Sequence, residues 1–222
     1  MRDLIRSGRR AAGRRLAAAR FRGSADYWES RYSAGGDSGA GSTGRLASFK
    51  AETLNGLLKD YEIYTLLELG CGDGEQLRLI DVDDYIGVDV AAGAVAMCQA
   101  KYQGEPGRRF FVAGDKPLPA VDATLSMDVL LHLVEDDVFD SYLRDLFSAA
   151  RRAVIIYGAD VEISGTMPHV RYRLFTPWID QHIDGWKLHR IIPGPWPRDT
   201  GSPETTSDAG FYVYVPTSIG AE

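Results

Sequence analysis

Residues 66–74 read L-L-E-L-G-C-G-D-G, and this stretch limits the fold more than any other in the chain. The apolar run Tyr64-Thr65-Leu66-Leu67 is short and β-compatible, and glycines follow it closely, so it reads as a buried parallel strand ending in a turn. Gly70, Gly72 and Gly74 lack a Cβ, which lets the backbone turn sharply and lets a ligand lie against it. Gln76 to Ile80 is expected to open a helix whose first amides point back at the same spot. A second strand, Tyr85 to Val88, ends in Asp89. In a doubly wound α/β fold, a carboxylate at the end of the second strand grips a ribose hydroxyl pair.

A nucleoside ligand follows, and the loop chemistry narrows its kind. The dinucleotide fingerprint is G-x-G-x-x-G with a pyrophosphate at the helix start. Here the spacing is G-x-G-x-G, and Glu68 and Asp73 lie in or beside the loop. Carboxylates there repel a pyrophosphate and suit a ligand carrying ammonium and sulfonium charges. E-L-G-C-G-D-G followed by V-D-V resembles the first two motifs of the class I S-adenosylmethionine-dependent methyltransferases. The resemblance implies a Rossmann-like, doubly wound α/β fold. Its seven-stranded sheet is mostly parallel with an antiparallel C-terminal strand pair. It also implies S-adenosylmethionine as cofactor, with Glu68, Gly70, Cys71, Gly72, Gly74, Asp89 and Val90 around it. The plain alternative is a glycine-rich turn with no ligand.

At 222 residues the chain can bury one sizeable core. No apolar run approaches the ~18 residues of a transmembrane helix. Two cysteines, Cys71 and Cys98, form neither a disulfide framework nor a metal pattern, which points to a reducing cytoplasm. The net charge of −6 is uneven: residues 1–22 carry about +7 and the remainder about −13. So acidic a body binds nucleic acid poorly, and no stable nucleic-acid partner is expected. Residues 1–25 read as a basic appendage. Its apolar residues recur at helical spacing, which suits peripheral contact with the inner face of an anionic membrane; the alternative is a solvated, partly frayed helix.

Residues 26–222 then form one domain. Within it, residues 26–45 carry Y-W-E-S-R-Y and then G-G-D-S-G-A-G-S, which resembles the N-terminal lid of a group of small bacterial methyltransferases. Tyr27, Arg31, Tyr32, Ser38 and Ser42 are its candidate contacts; a flexible Gly/Ser linker is the competing reading. A helical stripe from Leu46 to Leu58 packs on the sheet. The third strand runs Arg109 to Ala113, and Asp115 just after it matches the family's adenine-binding acid by position. The fourth, Ala123 to Met127, delivers Asp128 and His132 to the ligand edge of the sheet, and Asp128 is counted with the cofactor site. A fifth strand spans Arg152 to Tyr157. Beyond it come an acceptor cap over 158–175, a helix capped by Thr176, two closing strands and a long loop over 193–210.

Methyl transfer is an in-line displacement that needs alignment and a place for the acceptor's proton. A histidine suits that task. His132 is the first candidate base and His169 the second; each could instead be structural. Arg171 and Arg173 beside His169 suit a phosphate or carboxylate on the substrate. Asp128 and His132 supply too few ligands for a hard divalent ion, so no metal is expected. The lid-bearing bacterial group is often associated with surface-polysaccharide or lipid-linked sugar assembly. That implies O-methylation of a sugar hydroxyl or another small molecule. The alternatives are a non-catalytic S-adenosylmethionine-binding subunit and a methyltransferase acting on protein or RNA. The sequence does not specify the oligomeric state.

Overall fold

The computed structural model describes residues 21–163, 167–197 and 206–218. The basic segment 1–22 lies almost wholly outside these residues, as do parts of the 158–175 and 193–210 loops. Five parallel strands are β1 (Thr65–Leu69), β2 (Asp84–Asp89), β3 (Arg108–Val112), β4 (Val121–Met127) and β5 (Ala150–Gly158). Two more, β6 (Trp186–Pro193) and β7 (Gly210–Pro216), are antiparallel. The sheet order is β3-β2-β1-β4-β5-β7-β6, and the seven strands, mostly parallel with an antiparallel C-terminal pair, are as expected. The chain reverses direction outward from β1, so β1, β2 and β4 converge at the crevice where such sheets bind ligands.

The strands are apolar on both faces because both faces are covered. Leu66, Tyr85, Ile155 and Val213 point into one core with Leu54, Leu57 and Leu58 of α2 (Gly44–Asp60) and Cys98 of α3 (Ala92–Lys101). Their neighbours Leu67, Ile86, Ile156 and Tyr214 point into the other core. There they meet Phe139, Leu143 and Phe147 of α4 (Asp136–Ala149) and Phe175 and Ile179 of α5 (Phe175–His182). This one-residue alternation is the strand period.

Two local expectations need correction. The segment after the glycines is not an α-helix but a single 3₁₀ turn, Gln76–Leu79. Asn55 of α2 ends it: its amide donates to the Leu79 carbonyl at 2.9 Å and accepts from the Asp81 N–H at 2.9 Å. The peptide groups that would propagate a helix are thereby taken, and no extended helix dipole faces the loop. Likewise, Thr176 does not cap α5. Asp160 does, from fifteen residues upstream, accepting the Phe175 and Thr176 N–H groups at 2.6 and 3.1 Å.

Candidate active site

The glycine loop is shaped by what packs into it. Gly70, Gly72 and Gly74 have φ of +84°, +57° and +70°, conformations that side chains resist. A Cβ on Gly70 would meet Val129 at 2.5 Å, and one on Gly74 would meet Cys98 Sγ at 2.9 Å. A Cβ on Gly72 would stand 2.4 Å from Ser38 Oγ and 2.8 Å from Tyr32 Oη. Protein, not only ligand, therefore claims the space beside these glycines. From below, Cys98 donates to the Gly72 carbonyl at 3.1 Å, and Tyr102 donates to the Gly74 carbonyl at 2.6 Å. Gly72→Ala is expected to cost about 2–4 kcal/mol, combining left-handed strain with overpacking. That lowers the melting temperature by roughly 5–15 °C. An unshifted thermal melt would show that the lid side chains yield freely.

Asp89, only 7 % exposed, locks this loop to the end of β2. Its Oδ2 accepts the Gly72 N–H and its Oδ1 the Ala91 N–H, both at 2.9 Å. Burial pushes its carboxyl above the ordinary range, and the amides of Ala91, Gly72 and Val90 pull it back. The two acids of the loop are less available than their charges suggest. Asp73 is buried and accepts the Ser38 N–H at 3.0 Å and the Glu75 N–H at 3.1 Å. Glu68 is buried on the α2 side of β1 and accepts the Tyr85 hydroxyl in a short bond. Burial pushes its carboxyl up to about 7.

That shift has a sign. Between its ordinary value of 4.5 and about 7, folded Glu68 keeps a proton that the unfolded chain has released. Stability is therefore lost as pH rises through this window, by up to about 3 kcal/mol at this one group. Glu68→Gln is expected to flatten the stability profile between pH 5 and 7 in denaturant titrations. Parallel profiles for variant and wild type would refute the assignment.

The N-terminal segment expected to act as a lid is folded down on the loop. Its helix α1 (Ser24–Ser33) is anchored at its start, where the Ser24 hydroxyl donates to Glu135 Oε2 and the Ser24 N–H to Glu135 Oε1 at 2.8 Å. Further along, Trp28 packs edge-on against His132, centroids 4.8 Å apart, and Tyr27 stacks on His169 at 4.0 Å. Tyr32 and Ser38 share a hydrogen bond at 3.1 Å, and Ser38 Oγ accepts the Asp73 N–H. Arg31 is turned within the lid to Asp37 at 2.9 Å. His132 Nδ1 lies 3.0 Å from the His169 carbonyl, which can only accept. The ring proton therefore sits on Nδ1 and the basic lone pair on Nε2. Burial pushes the His132 pKa below 6.5, so the ring is neutral at pH 7.

These elements enclose one cavity of about 870 Å³, running from Asp89 and Gly114 past the glycine loop to Asp128, His132 and Thr206. Against known families, residues 67–157 match the model described as a methyltransferase domain, which spans β1 to β5. Residues 67–157 thus form a methyltransferase domain, and the seven-stranded sheet that holds it has the methyltransferase fold. Among solved structures, the methyltransferase domain of a bacterial Hen1 is similar at 19 % identity and TM-score 0.58, over 75 % of this chain and 97 % of that one. Magnesium protoporphyrin IX methyltransferase from Synechocystis, with bound S-adenosylhomocysteine, is similar at 15 % identity and TM-score 0.59, over 78 % and 85 %. An S-adenosylmethionine-dependent methyltransferase from Aquifex aeolicus is similar at 20 % and TM-score 0.52, over 77 % and 91 %. At these identities the likeness is one of fold. No curated protein matches the chain.

The cofactor of this methyltransferase is S-adenosylmethionine, and the cavity suits it. It lies near the top of the ~300–1,000 Å³ range of small-molecule sites. It offers a buried carboxylate at the β2 end, and a buried Lys50 beside Asp128 at the β4 end. Glu68, Gly70, Cys71, Gly72, Asp89, Val90, Asp128, Tyr32, Ser42, His132 and His169 all reach the cavity. Four expected residues do not. Gly74 is packed under Cys98 and Tyr102. Asp115 is exposed in the turn after β3, and Gly114, Lys116 and Leu118 border the cavity there instead. Arg171 and Arg173 both turn to Asp136, and they also donate to the Val134 carbonyl at 3.1 and 2.7 Å. They tie the 158–175 loop to the start of α4, and neither borders the cavity. The adjoining Cys98 thiol and burial push the Cys71 thiol well up.

Sequence reading passed over Lys50. It lies on the apolar stripe of α2 between Leu46 and Leu54, and a lysine in that register was the available signal. Among the described residues no group of three or more His, Cys, Asp or Glu is placed to hold a metal ion. No described helix is long and apolar enough to cross a membrane.

Proposed function

We propose that this methyltransferase O-methylates a hydroxyl of a small neutral acceptor, with a sugar hydroxyl as the leading candidate and polysaccharide or natural-product assembly as the setting. The observation that carries the reading is the part of the cavity bounded by Trp28, Tyr27, His132 and His169. Aromatic faces beside a neutral imidazole suit the apolar face and hydroxyl edge of a sugar. With Arg171 and Arg173 turned to Asp136, the support for a phosphate-bearing acceptor weakens.

When bound, S-adenosylmethionine supplies an electrophilic methyl group. The chain does the rest. Asp89 accepts the ribose hydroxyls, and the closed lid excludes water. His132 Nε2 takes the proton that the acceptor hydroxyl must lose, while the His169 carbonyl fixes its tautomer. The deciding experiment incubates the protein with methyl-labelled cofactor and bacterial extract fractionated into neutral saccharides, sugar nucleotides, lipid-linked sugars, protein and RNA. Label in a saccharide fraction supports the reading, and label in protein or RNA overturns it. Cofactor binding with no label transferred to any fraction would favour a non-catalytic binding subunit.

A further inference from the structure

We propose that Ser24 and Glu135 are positioning residues for His132: they clamp the backbone that carries its ring and seat Trp28 against that ring. The inference deepens the reading of His132 as the base and rests on it. Ser24 is 6 % exposed, although it begins a helix. Its hydroxyl donates to the His132 carbonyl and to Glu135 Oε2, each at 2.6 Å, and accepts the Val134 N–H at 3.2 Å. A hydroxyl has one proton to give and two lone pairs, so this one is committed to the segment that carries the base.

The clamp stands in for a local cap. A helix leaves its first N–H groups without partners. The residue before α1 is Gly23, which has no side chain to supply one. Glu135 supplies it from far along the chain, accepting the Ser24 N–H at Oε1 at 2.8 Å. A carboxylate there also suits the positive end of the helix dipole. Gly23 has a φ of +137°, and a Cβ on it would stand 2.9 Å from Glu135 Oε1, so the close approach of the carboxylate depends on glycine. The start of α1 is therefore completed only when it is docked beside His132.

The same helix face reaches the ring. Ser24, Tyr27 and Trp28 stand at i, i+3 and i+4, positions that neighbour one another on a helix. Trp28 meets the His132 ring edge-on, and Tyr27 stacks on His169, whose carbonyl fixes the His132 tautomer. Helix α1 thus holds the base by its backbone, by its ring and through its tautomer partner. Without the clamp, water reaches the ring and favours the imidazolium. The charged and titratable groups around the ring are His169 of the 158–175 loop, Asp128 at the end of β4 and Arg31 of α1. Around Glu135 they are Ser24 and Arg173.

The test needs no acceptor. Protein carrying isotope-labelled histidine is titrated by NMR, which reads the protonation and tautomer of each ring. In the wild type His132 is expected to titrate below 6.5 with its proton on Nδ1. Ser24→Ala should move that titration up towards 6.5 and admit the other tautomer. Glu135→Ala should do the same, and there the sign discriminates, because loss of a nearby carboxylate by itself moves a histidine down. Glu135→Gln keeps an acceptor for the Ser24 N–H and should retain the wild-type tautomer. An unmoved titration and tautomer in Ser24→Ala, or a downward shift in Glu135→Ala, overturns the proposal. If neither alanine variant folds, the wild type decides. Its amide exchange across 24–33, corrected for the intrinsic pH dependence, should quicken as His132 takes up its proton, and constant protection there overturns the proposal. Wild-type turnover in His132→Gln would instead remove the base reading on which the clamp's role depends.

Discussion

Replacing His132 with alanine is expected to lower turnover roughly 10²- to 10⁴-fold, the range supplied by a positioned general base. The ring has the attributes of one: a tautomer fixed by the His169 carbonyl, a pKa pushed below 6.5 by burial, and a place on the cavity wall. The sign of the pH dependence follows. A base must be unprotonated, so wild-type activity should rise through an acid limb centred below pH 6.5, and that limb should vanish in the variant. His132 also carries the edge-on contact with Trp28, and its loss could loosen the lid. His132→Gln separates the two roles, because its amide can still donate towards the His169 carbonyl but cannot serve as a base. If His132→Gln binds cofactor normally and turns over at the wild-type rate, the base lies elsewhere, and His169, stacked on Tyr27, is next.

Asp89→Ala is expected to weaken cofactor binding by roughly 10- to 100-fold, since a charged acceptor of ligand hydroxyls contributes about 1.5–3 kcal/mol. The effect has a second source. Both carboxylate oxygens already accept backbone N–H groups, from Gly72 and Ala91, so the side chain also fixes the loop on which the cofactor rests. Asp89→Asn discriminates between them. Its amide oxygen can keep one of the two backbone bonds while losing the charge, so it should fall between wild type and Asp89→Ala. Calorimetric affinities equal to wild type in both variants would place the ribose elsewhere.

Much of this was legible before any coordinates. The apolar run before Gly70, the spacing of the three glycines and the acid at the end of the next strand are local features. Each depends on what a few consecutive residues can do with their backbone. The same holds for the alternation of Leu66 with Leu67 and of Ile155 with Ile156, which gives two buried faces and hence a covered parallel sheet. Sequence reasoning went astray where a distant side chain decided a local outcome. Asn55 stops the turn after Leu79, and Asp160 caps α5 in place of Thr176. Asp136 draws Arg171 and Arg173 off the acceptor side. None of these partners is near its target in the chain.

The sequence by itself determined the sheet, its cofactor crevice and the class of chemistry, because strand period, glycine φ and the acid after β2 are set within short windows. Only the tertiary structure decided which charges are free to meet a ligand. Glu68 and Asp73 are occupied, the cap arginines are spent on Asp136, and Lys50 arrives from an apolar helix face to stand beside Asp128. The physical reason is that a charge is neutralised or left available by whatever lies within a few ångströms of it. In a folded chain those neighbours come from tens of residues away.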